Sequence, residues 1–282
     1  MAFSFECFAV THIGNRRKNN EDNFYIGDGA LLTREEQMSM SLTENTRICK
    51  SLVHEGTANL ICAVSDGMGG YKDGEEASFI VVDALDGFNR EHRQKPNRRR
   101  QDKFAYIQNF QKMIDETNLK ILKYADSNNE TENMGATLTG LIFFADEAVP
   151  FNIGDSSVFL YENGILQKLT TDDNEASVFD GADPKELKKN GKLLTKYFGL
   201  PMSNGILTAA IPPPISLRQG QLYLVASDGL TDNLTSDDIA KIVKAEPGVE
   251  TAVNELVMSA LGGEAGGRDN ITIVMIKVKK TM

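Results

Sequence analysis

The chain has 282 residues, of which 41% are hydrophobic and 25% charged, which is the composition of an ordinary globular protein. Its formal net charge of −10 argues against nucleic acid or an anionic membrane as the main partner, and no apolar stretch approaches the roughly 20 residues that span a bilayer. The three cysteines show no pattern and the first seven residues lack the features of a signal peptide. We therefore expect a cytoplasmic protein with reduced thiols.

The first half of the chain predicts strands, an excursion and two helices. The strands are predicted at residues 3–12, 24–26 and 60–64. Residues 31–57 are polar and irregular, and we interpret them as an excursion between strands with one helix at about 45–54. A glycine-rich turn precedes two helices, at about 77–88 and 104–125, whose apolar residues recur at helical spacing.

Strand signals then follow in quick succession. They fall at residues 136–144, 149–153, 157–161, 165–169, 206–211, 221–226 and 270–278. The Glu-Asn-Gly sequence at 162–164 predicts a hairpin turn. Short helices are predicted near 184–190, after a cap at Thr235 or Ser236, and at 249–261. Antiparallel-looking strands with helices in pairs predict an α+β fold and not a nucleotide-binding βαβ sheet.

One short sequence occurs twice in the same setting. Two apolar strands, residues 60–64 and 222–226, each run into Ser-Asp-Gly, which places Asp66 and Asp228 where a buried strand ends. An ionised carboxylate beside a core is costly unless a cation pairs with it. The repetition therefore suggests one cation shared by both carboxylates.

Three further aspartates stand at predicted strand ends: Asp22, Asp155 and Asp269. Carboxylates at close range cannot all ionise without cations, and oxygen ligands with no histidine or cysteine nearby favour Mg²⁺ or Mn²⁺. The three histidines have no spacing typical of a zinc site. A single aspartate at a strand end is more often a turn former or helix cap, so these residues alone leave a metal site and a set of turns equally open.

Six short motifs occur in a characteristic order. They are Asn-Asn-Glu-Asp at 19–22, Ser-Asp-Gly-Met-Gly-Gly at 65–70, Met-Gly-Ala-Thr at 134–137, Ile-Gly-Asp-Ser at 153–156, Ser-Asp-Gly-Leu at 227–230 and Arg-Asp-Asn at 268–270. Together they resemble the metal-dependent type-2C Ser/Thr protein phosphatases, the PPM family, over about residues 5–278. The resemblance implies a single phosphatase domain over residues 1–282, built from two antiparallel β-sheets packed face to face and flanked by helix pairs. Residues 172–205 match the family's variable flap, and the excursion at 31–57 lies outside its common core.

The resemblance also implies a metal site. Asp66 would bridge two Mn²⁺ or Mg²⁺ ions, and the backbone carbonyl of Gly67 would hold the second. Asp228 and Asp269 would complete the shell of the first. Asp22 would act directly or through metal-bound water. Asp155, together with Asp228, matches a looser third metal site.

Substrate binding is implied in the same way. Arg17, five residues before Asp22, matches the arginine that grips the substrate phosphate, and its neighbour Arg16 is a rival. The implied reaction is hydrolysis of phosphoserine and phosphothreonine in proteins by a metal-bridging water, with no phosphoenzyme. The alternative is a catalytically silent pseudophosphatase that binds phosphoproteins. Free-standing bacterial members are often paired with a Ser/Thr kinase, which the resemblance therefore implies as a partner.

Several positions depart from the family pattern. Met68 stands where animal-type members carry histidine, as in bacterial-type members, and Ser157 stands where arginine is frequent. Residues 172–174 read Asp-Asp-Asn where Asp-His-Ser is common. These departures bear on substrate binding and the flap. The basic segment 90–103 is by default a solvated loop, with a docking site for an acidic or phosphorylated partner as the alternative.

Overall fold

The fold is built from thirteen strands and six helices within the residues that the structure covers. The computed structural model describes residues 3–41, 45–55, 59–69, 73–92, 103–127, 134–144, 146–175, 193–246, 248–262 and 266–280. The strands are β1 (Phe3–His12), β2 (Asn23–Tyr25), β3 (Arg47–Glu55), β4 (Leu60–Ser65), β5 (Gly67–Met68), β6 (Gly135–Ala136), β7 (Leu138–Phe144), β8 (Glu147–Ile153), β9 (Ser157–Glu162), β10 (Ile165–Lys168), β11 (Ile215–Ser216), β12 (Leu222–Ala226) and β13 (Ile271–Lys280). The helices are α1 (Arg34–Ser39), α2 (Asp73–His92), α3 (Lys103–Ser127), α4 (Asp228–Thr231), α5 (Ser236–Ala245) and α6 (Val249–Gly262), with a 3₁₀ turn at Met202–Asn204.

Two antiparallel sheets form the centre of the molecule. The six-stranded sheet has the order β10-β9-β12-β13-β1-β3, and the five-stranded sheet has the order β11-β8-β7-β4-β2. A separate small ladder pairs β5 with β6. The predicted α+β class is confirmed.

Alternation along β1 and β4 shows how the layers form. On β1, Cys7 and Ala9 face the core between the sheets, whereas Phe8 and Val10 face the core beneath α5 and α6. On β4, Cys62 faces the core between the sheets, while its neighbours face α2 and α3. Because successive strand residues point to opposite faces, an unbroken apolar strand must be covered on both sides. The result is the expected α-β-β-α sandwich.

The helix predicted at about 45–54 is wrong, because this segment forms β3. It pairs antiparallel with β1 along its whole length and forms the edge of the six-stranded sheet. Ile48 and Leu52 pack against the core between the sheets. Their spacing of four residues suits one face of a helix and one face of a strand equally well, which explains the error. The excursion thus contributes α1 and an edge strand to the structure.

The strand predicted at 206–211 is also wrong. Only Ala210 makes a bridge, to Asn152, and the strand appears later as β11. The side chain of Gln111 on α3 donates to Leu207 O at 2.7 Å and accepts from Ala209 N at 3.1 Å. The backbone here is therefore satisfied by a helix side chain in place of a neighbouring strand.

The other long strands and helices lie close to their predicted ranges, whereas α1, β5 and α4 were not predicted, and the strand predicted at 136–144 is divided into β6 and β7. Thr235 caps α5 through a capping box with Asp238, as predicted. Asn163 and Gly164, with φ of 53° and 82°, form the hairpin turn between β9 and β10. The helix predicted near 184–190 and most of the basic segment 90–103 lie outside the described residues. No helix within the described ranges is long and apolar enough to cross a membrane.

Candidate metal and phosphate site

A cleft of about 460 Å³ collects almost all of the predicted site residues. It is lined by Arg17, Glu21, Asp66, Gly67, Met68, Gly69, Thr137, Asp155, Leu193, Leu194, Tyr197, Asp228 and Asp269. Asp22 is the one predicted residue that does not line it. Residues far apart in sequence therefore meet at one place, where β4, β8 and β12 end.

Asp66 is fixed by the start of the neighbouring strand β7. Its backbone N–H donates to Thr137 Oγ1 at 2.9 Å, and its carbonyl accepts from Thr137 N at 2.8 Å. The hydroxyl of Ser65 donates to Thr137 O at 2.7 Å. Gly67 follows because a Cβ there would overlap the carbonyl oxygens of Gly74 and Glu21. The backbone of Asp66 is thus fixed by hydrogen bonds to Thr137, and this fixes the position from which its side chain extends.

Several carboxylates act on Asp66 at close range. Desolvation raises the pKa of its carboxyl well above the usual range, and the charges of Asp22, Asp228, Asp269 and Asp155 raise it further. Four other carboxylates therefore oppose ionisation of the Asp66 carboxyl. A divalent cation would relieve this repulsion, which is the physical requirement that the repeated Ser-Asp-Gly suggested.

The second Ser-Asp-Gly has a different local structure from the first. Asp228 opens the short helix α4, whereas Asp66 is followed by the strand β5. Gly229 packs so closely that a Cβ would overlap the carbonyl oxygen of Asn270. Ser227 N donates to Thr272 O at 3.0 Å, which anchors the turn to β13. The same tripeptide therefore delivers its carboxylate from two different geometries.

Asn270 joins the two ends of the chain at the site. Its Nδ2 donates to Ile13 O at 2.9 Å and to Asn19 O at 3.0 Å, and its Oδ1 accepts from Glu21 N at 2.8 Å. Its own N–H donates to Asp269 Oδ1 at 2.9 Å. The loop that carries Arg17 is therefore fixed relative to Asp269.

Arg17, and not its rival Arg16, lies in the cleft. Its Nη2 donates to Asp269 Oδ2 at 2.7 Å, and its Nη1 lies 3.6 Å from Glu21 Oε2. The hydrogen bond to Asp269 raises the pKa of Arg17, so the guanidinium stays charged. A forked cation beside the acidic cluster can bind two oxygens of one phosphate.

Asp22, a predicted site residue, does not line the cleft. Asp22 is buried, and its Oδ2 accepts a hydrogen bond of 2.8 Å from Ser227 Oγ. Burial raises the pKa of Asp22 to about 7, with hydrogen bonds from Thr272 and Ser227 acting in the opposite direction. Glu21, which the sequence reasoning passed over, lines the cleft instead. The signal for it was its place in the same Asn-Asn-Glu-Asp motif.

The donor set fits a hard divalent cation. The groups that converge are carboxylates and the backbone of two glycines, Gly67 and Gly69, and oxygen ligands of this kind suit Mg²⁺ or Mn²⁺. Within the part of the chain that the structure describes, no three His, Cys, Asp or Glu side chains already form a finished metal-binding group. The carboxylates therefore line one cleft and give it an excess of negative charge, which a bound cation would offset.

Comparison with known proteins identifies the family. The model of the Protein phosphatase 2C family matches residues 49–252. The serine/threonine phosphatase stp of Listeria innocua is 27% identical over 222 residues, which are 77% of this chain and 84% of that protein. The protein phosphatase PhpP of Streptococcus pneumoniae is 24% identical over 98% of both chains.

A solved structure gives the same result for the fold. The catalytic domain of the serine threonine protein phosphatase PstP, in complex with two manganese ions, superposes with a TM-score of 0.73 at 24% identity, over 99% of this chain and 100% of that one. The family match covers well over half of the chain. The chain belongs to the protein phosphatase 2C family.

Proposed function

We propose that this enzyme, a metal-dependent phosphatase of phosphoserine and phosphothreonine in proteins, carries out its reaction in the cleft around Asp66. The observation that carries the proposal is the effect of four other carboxylates on Asp66 in a cleft that also holds Arg17. Nothing favours the catalytically silent alternative, because all the acidic residues that the family motifs require are present.

The acidic residues would hold the metal ions. In this proposal Asp66 would be a ligand of two ions, the Gly67 carbonyl would hold one, and Asp228 and Asp269 would hold the other. Asp155 with Asp228 would hold a third ion more loosely. Bound Mg²⁺ or Mn²⁺ would activate the attacking water and offset the negative charge of the phosphate.

Arg17 would bind and orient the substrate phosphate. Its guanidinium already lies between Asp269 and Glu21, so its position is set by two carboxylates before substrate arrives. An incoming phosphate offers two oxygens to the same fork and is a stronger acceptor pair than either carboxylate alone. Glu21 then acts as a positioning residue for Arg17. Asp22 stays a predicted contributor, through bound water or through the hydroxyl of Ser227 that it holds.

Two further proposals concern the setting of the reaction. A Ser/Thr kinase that phosphorylates the same proteins is the partner that the family resemblance supports. A cytoplasmic location is supported by the three cysteines, all of which are free thiols.

The direct test is phosphate release from a phosphothreonine peptide at increasing Mn²⁺. We expect activity that rises with Mn²⁺, is abolished by EDTA, and falls by a factor on the order of 100 or more in Asp228→Asn. Asp126→Asn is the matched control, since Asp126 is exposed near the end of α3, away from the cleft. Activity that survives EDTA, or that Asp228→Asn leaves intact, would overturn the proposal.

A further inference from the structure

The cleft is lined by charged residues and by apolar residues, and the proposed reaction gives a role only to the charged ones. The carboxylates and Arg17 serve metal and phosphate. Met68, Leu193, Leu194 and Tyr197 line the same cleft with mostly apolar surface. Leu193 is 57% exposed, although it lies beside a site where a protein substrate must dock.

The Tyr197 end of this apolar lining is hydrogen-bonded to the β5–β6 ladder, which contains Gly67. Ala136 and Phe198 exchange two backbone hydrogen bonds, of 3.1 and 2.8 Å. Ala136 belongs to β6, which pairs with the β5 residues Gly67 and Met68. Phe198 therefore extends the small β5–β6 ladder and is fixed to it by two hydrogen bonds.

Helix α3 secures the same end from the other direction. The side chain of Asn118 accepts from Gly199 N at 2.7 Å and donates to Leu200 O at 3.1 Å. A Cβ at Gly135 would lie 2.9 Å from Tyr197 Cδ2 and 3.3 Å from Met68 Cγ. Tyr197 and Met68 thus pack against the same glycine and form one continuous surface next to Gly67.

The Leu193–Leu194 end is tied to the turn that carries Asp155. Thr195 N donates to Asp173 O at 2.8 Å, and Lys196 Nζ lies 3.0 Å from Asp173 Oδ1. The other carboxylate oxygen of Asp173 accepts from Gly154 N at 3.2 Å. Asp173 therefore links the segment that follows Leu194 to Gly154, next to Asp155.

We propose that Met68, Leu193, Leu194 and Tyr197 form an apolar subsite that holds an apolar side chain flanking the phosphorylated residue of the substrate protein. The inference rests on the proposed function. An apolar side chain placed there would remove exposed leucine and tyrosine surface from water. An acidic side chain would instead meet the carboxylates of the same cleft, so its binding would be opposed.

The test uses phosphothreonine peptides that differ only in the residues on either side of the phosphothreonine: leucine, alanine or aspartate. We expect kcat/KM to fall in that order, with leucine favoured over alanine by about fivefold. Leu193→Ala should reduce the leucine preference to about twofold or less. Its hydrolysis of p-nitrophenyl phosphate, which has no flanking residue, should still depend on Mn²⁺. Met258→Ala, at a residue 60% exposed on α6, is the matched control and should keep the preference.

Equal kcat/KM for the leucine and alanine peptides in the wild type would overturn the subsite. So would a preference that survives in both Leu193→Ala and Tyr197→Ala. The substrate p-nitrophenyl phosphate separates this failure from that of the proposed function. Mn²⁺-dependent hydrolysis of p-nitrophenyl phosphate with no peptide preference rejects the subsite alone, whereas hydrolysis indifferent to Mn²⁺ rejects the proposed function as well.

Discussion

Arg17, the proposed phosphate-binding residue, forms an ion pair within the cleft with Asp269, a proposed metal ligand. Arg17 Nη2 donates to Asp269 Oδ2 at 2.7 Å, and the two side chains are 43% and 36% exposed. An ion pair that is open to water contributes little to stability and exchanges partners readily. The pair can therefore position Arg17 and still exchange the carboxylate of Asp269 for a phosphate.

Replacing Arg17 should impair substrate binding more than metal binding. We expect Arg17→Ala to lower kcat/KM for a phosphothreonine peptide by about 10- to 100-fold, because a charge-assisted forked contact to phosphate is lost. The Mn²⁺ concentration that gives half-maximal activity should not rise, since Asp269 loses a competing partner. Steady-state kinetics at varied peptide and Mn²⁺ measure both quantities.

Arg16→Ala is the control for this prediction. Arg16 is exposed and does not line the cleft, so its loss should leave kcat/KM within about twofold of the wild type. Equal losses in the two variants, or a larger loss in Arg16→Ala, would contradict the assignment of Arg17.

The choice between Arg16 and Arg17 shows where sequence reasoning reaches its limit. The motif established that one basic residue precedes Asp22 at the right distance, but adjacent side chains point in different directions. Only the contacts of the loop with Asn270 and Asp269 decide which of them enters the cleft. Glu21 was missed for the same reason, because a motif identifies a segment and the fold decides which of its carboxylates faces the site.

Gly229 should tolerate no side chain. A Cβ there would overlap the backbone carbonyl of Asn270, and neither α4 nor the residues that precede β13 can shift without disturbing Asp228 or Asp269. We expect Gly229→Ala to lower the free energy of unfolding by at least about 2 kcal/mol and to lower activity with it. Urea denaturation and the peptide assay provide the measurements.

Gly87→Ala is the matched control for Gly229. Gly87 lies inside α2 with open space around its Cα, so alanine should stabilise the protein by roughly 0.5–1 kcal/mol and leave activity unchanged. If Gly229→Ala were as stable and active as Gly87→Ala, the close packing of α4 against β13 would be wrong.

His12 should make the protein less stable in acid. Burial, and then the charge of Arg47, lower the pKa of His12 below its usual 6.5, and its Nδ1 accepts from Gly14 N at 2.9 Å. Below about pH 6.5 the unfolded chain therefore binds a proton that the native state resists. The free energy of unfolding should fall as the pH drops through this range.

His12→Asn tests the pH prediction, because asparagine can still accept from Gly14 N but does not titrate. Urea unfolding at several values between about pH 5 and 8 should show a smaller fall in stability for the variant than for the wild type. Contributions from carboxylates are common to both proteins and cancel in the comparison. Parallel curves would show that His12 is as easily protonated in the native state as in the unfolded chain.

The elements that the sequence predicted well share a physical property. β4 is buried along its whole length and its first five residues form an unbroken apolar run, β1 is apolar at most of its buried positions, and α3 has apolar residues at helical spacing along its length. β3 is an edge strand with one wet face, so its few apolar residues did not distinguish strand from helix. Residues 206–211 look like a strand, but only Ala210 pairs with a strand, and Leu207 and Ala209 are hydrogen-bonded to the side chain of Gln111 on a helix, which no local pattern reports.

The most direct test of the metal site is a calorimetric titration of the protein with Mn²⁺, comparing the wild type with Asp66→Asn. Asp66 is the carboxylate on which the four others act, so it should be required for binding by more than one ion. We expect the wild type to bind at least two Mn²⁺ per chain. Asp66→Asn should lose at least one ion and bind the rest at least about 10-fold more weakly, while Asp126→Asn behaves as the wild type. Unchanged stoichiometry and affinity in Asp66→Asn would contradict the account.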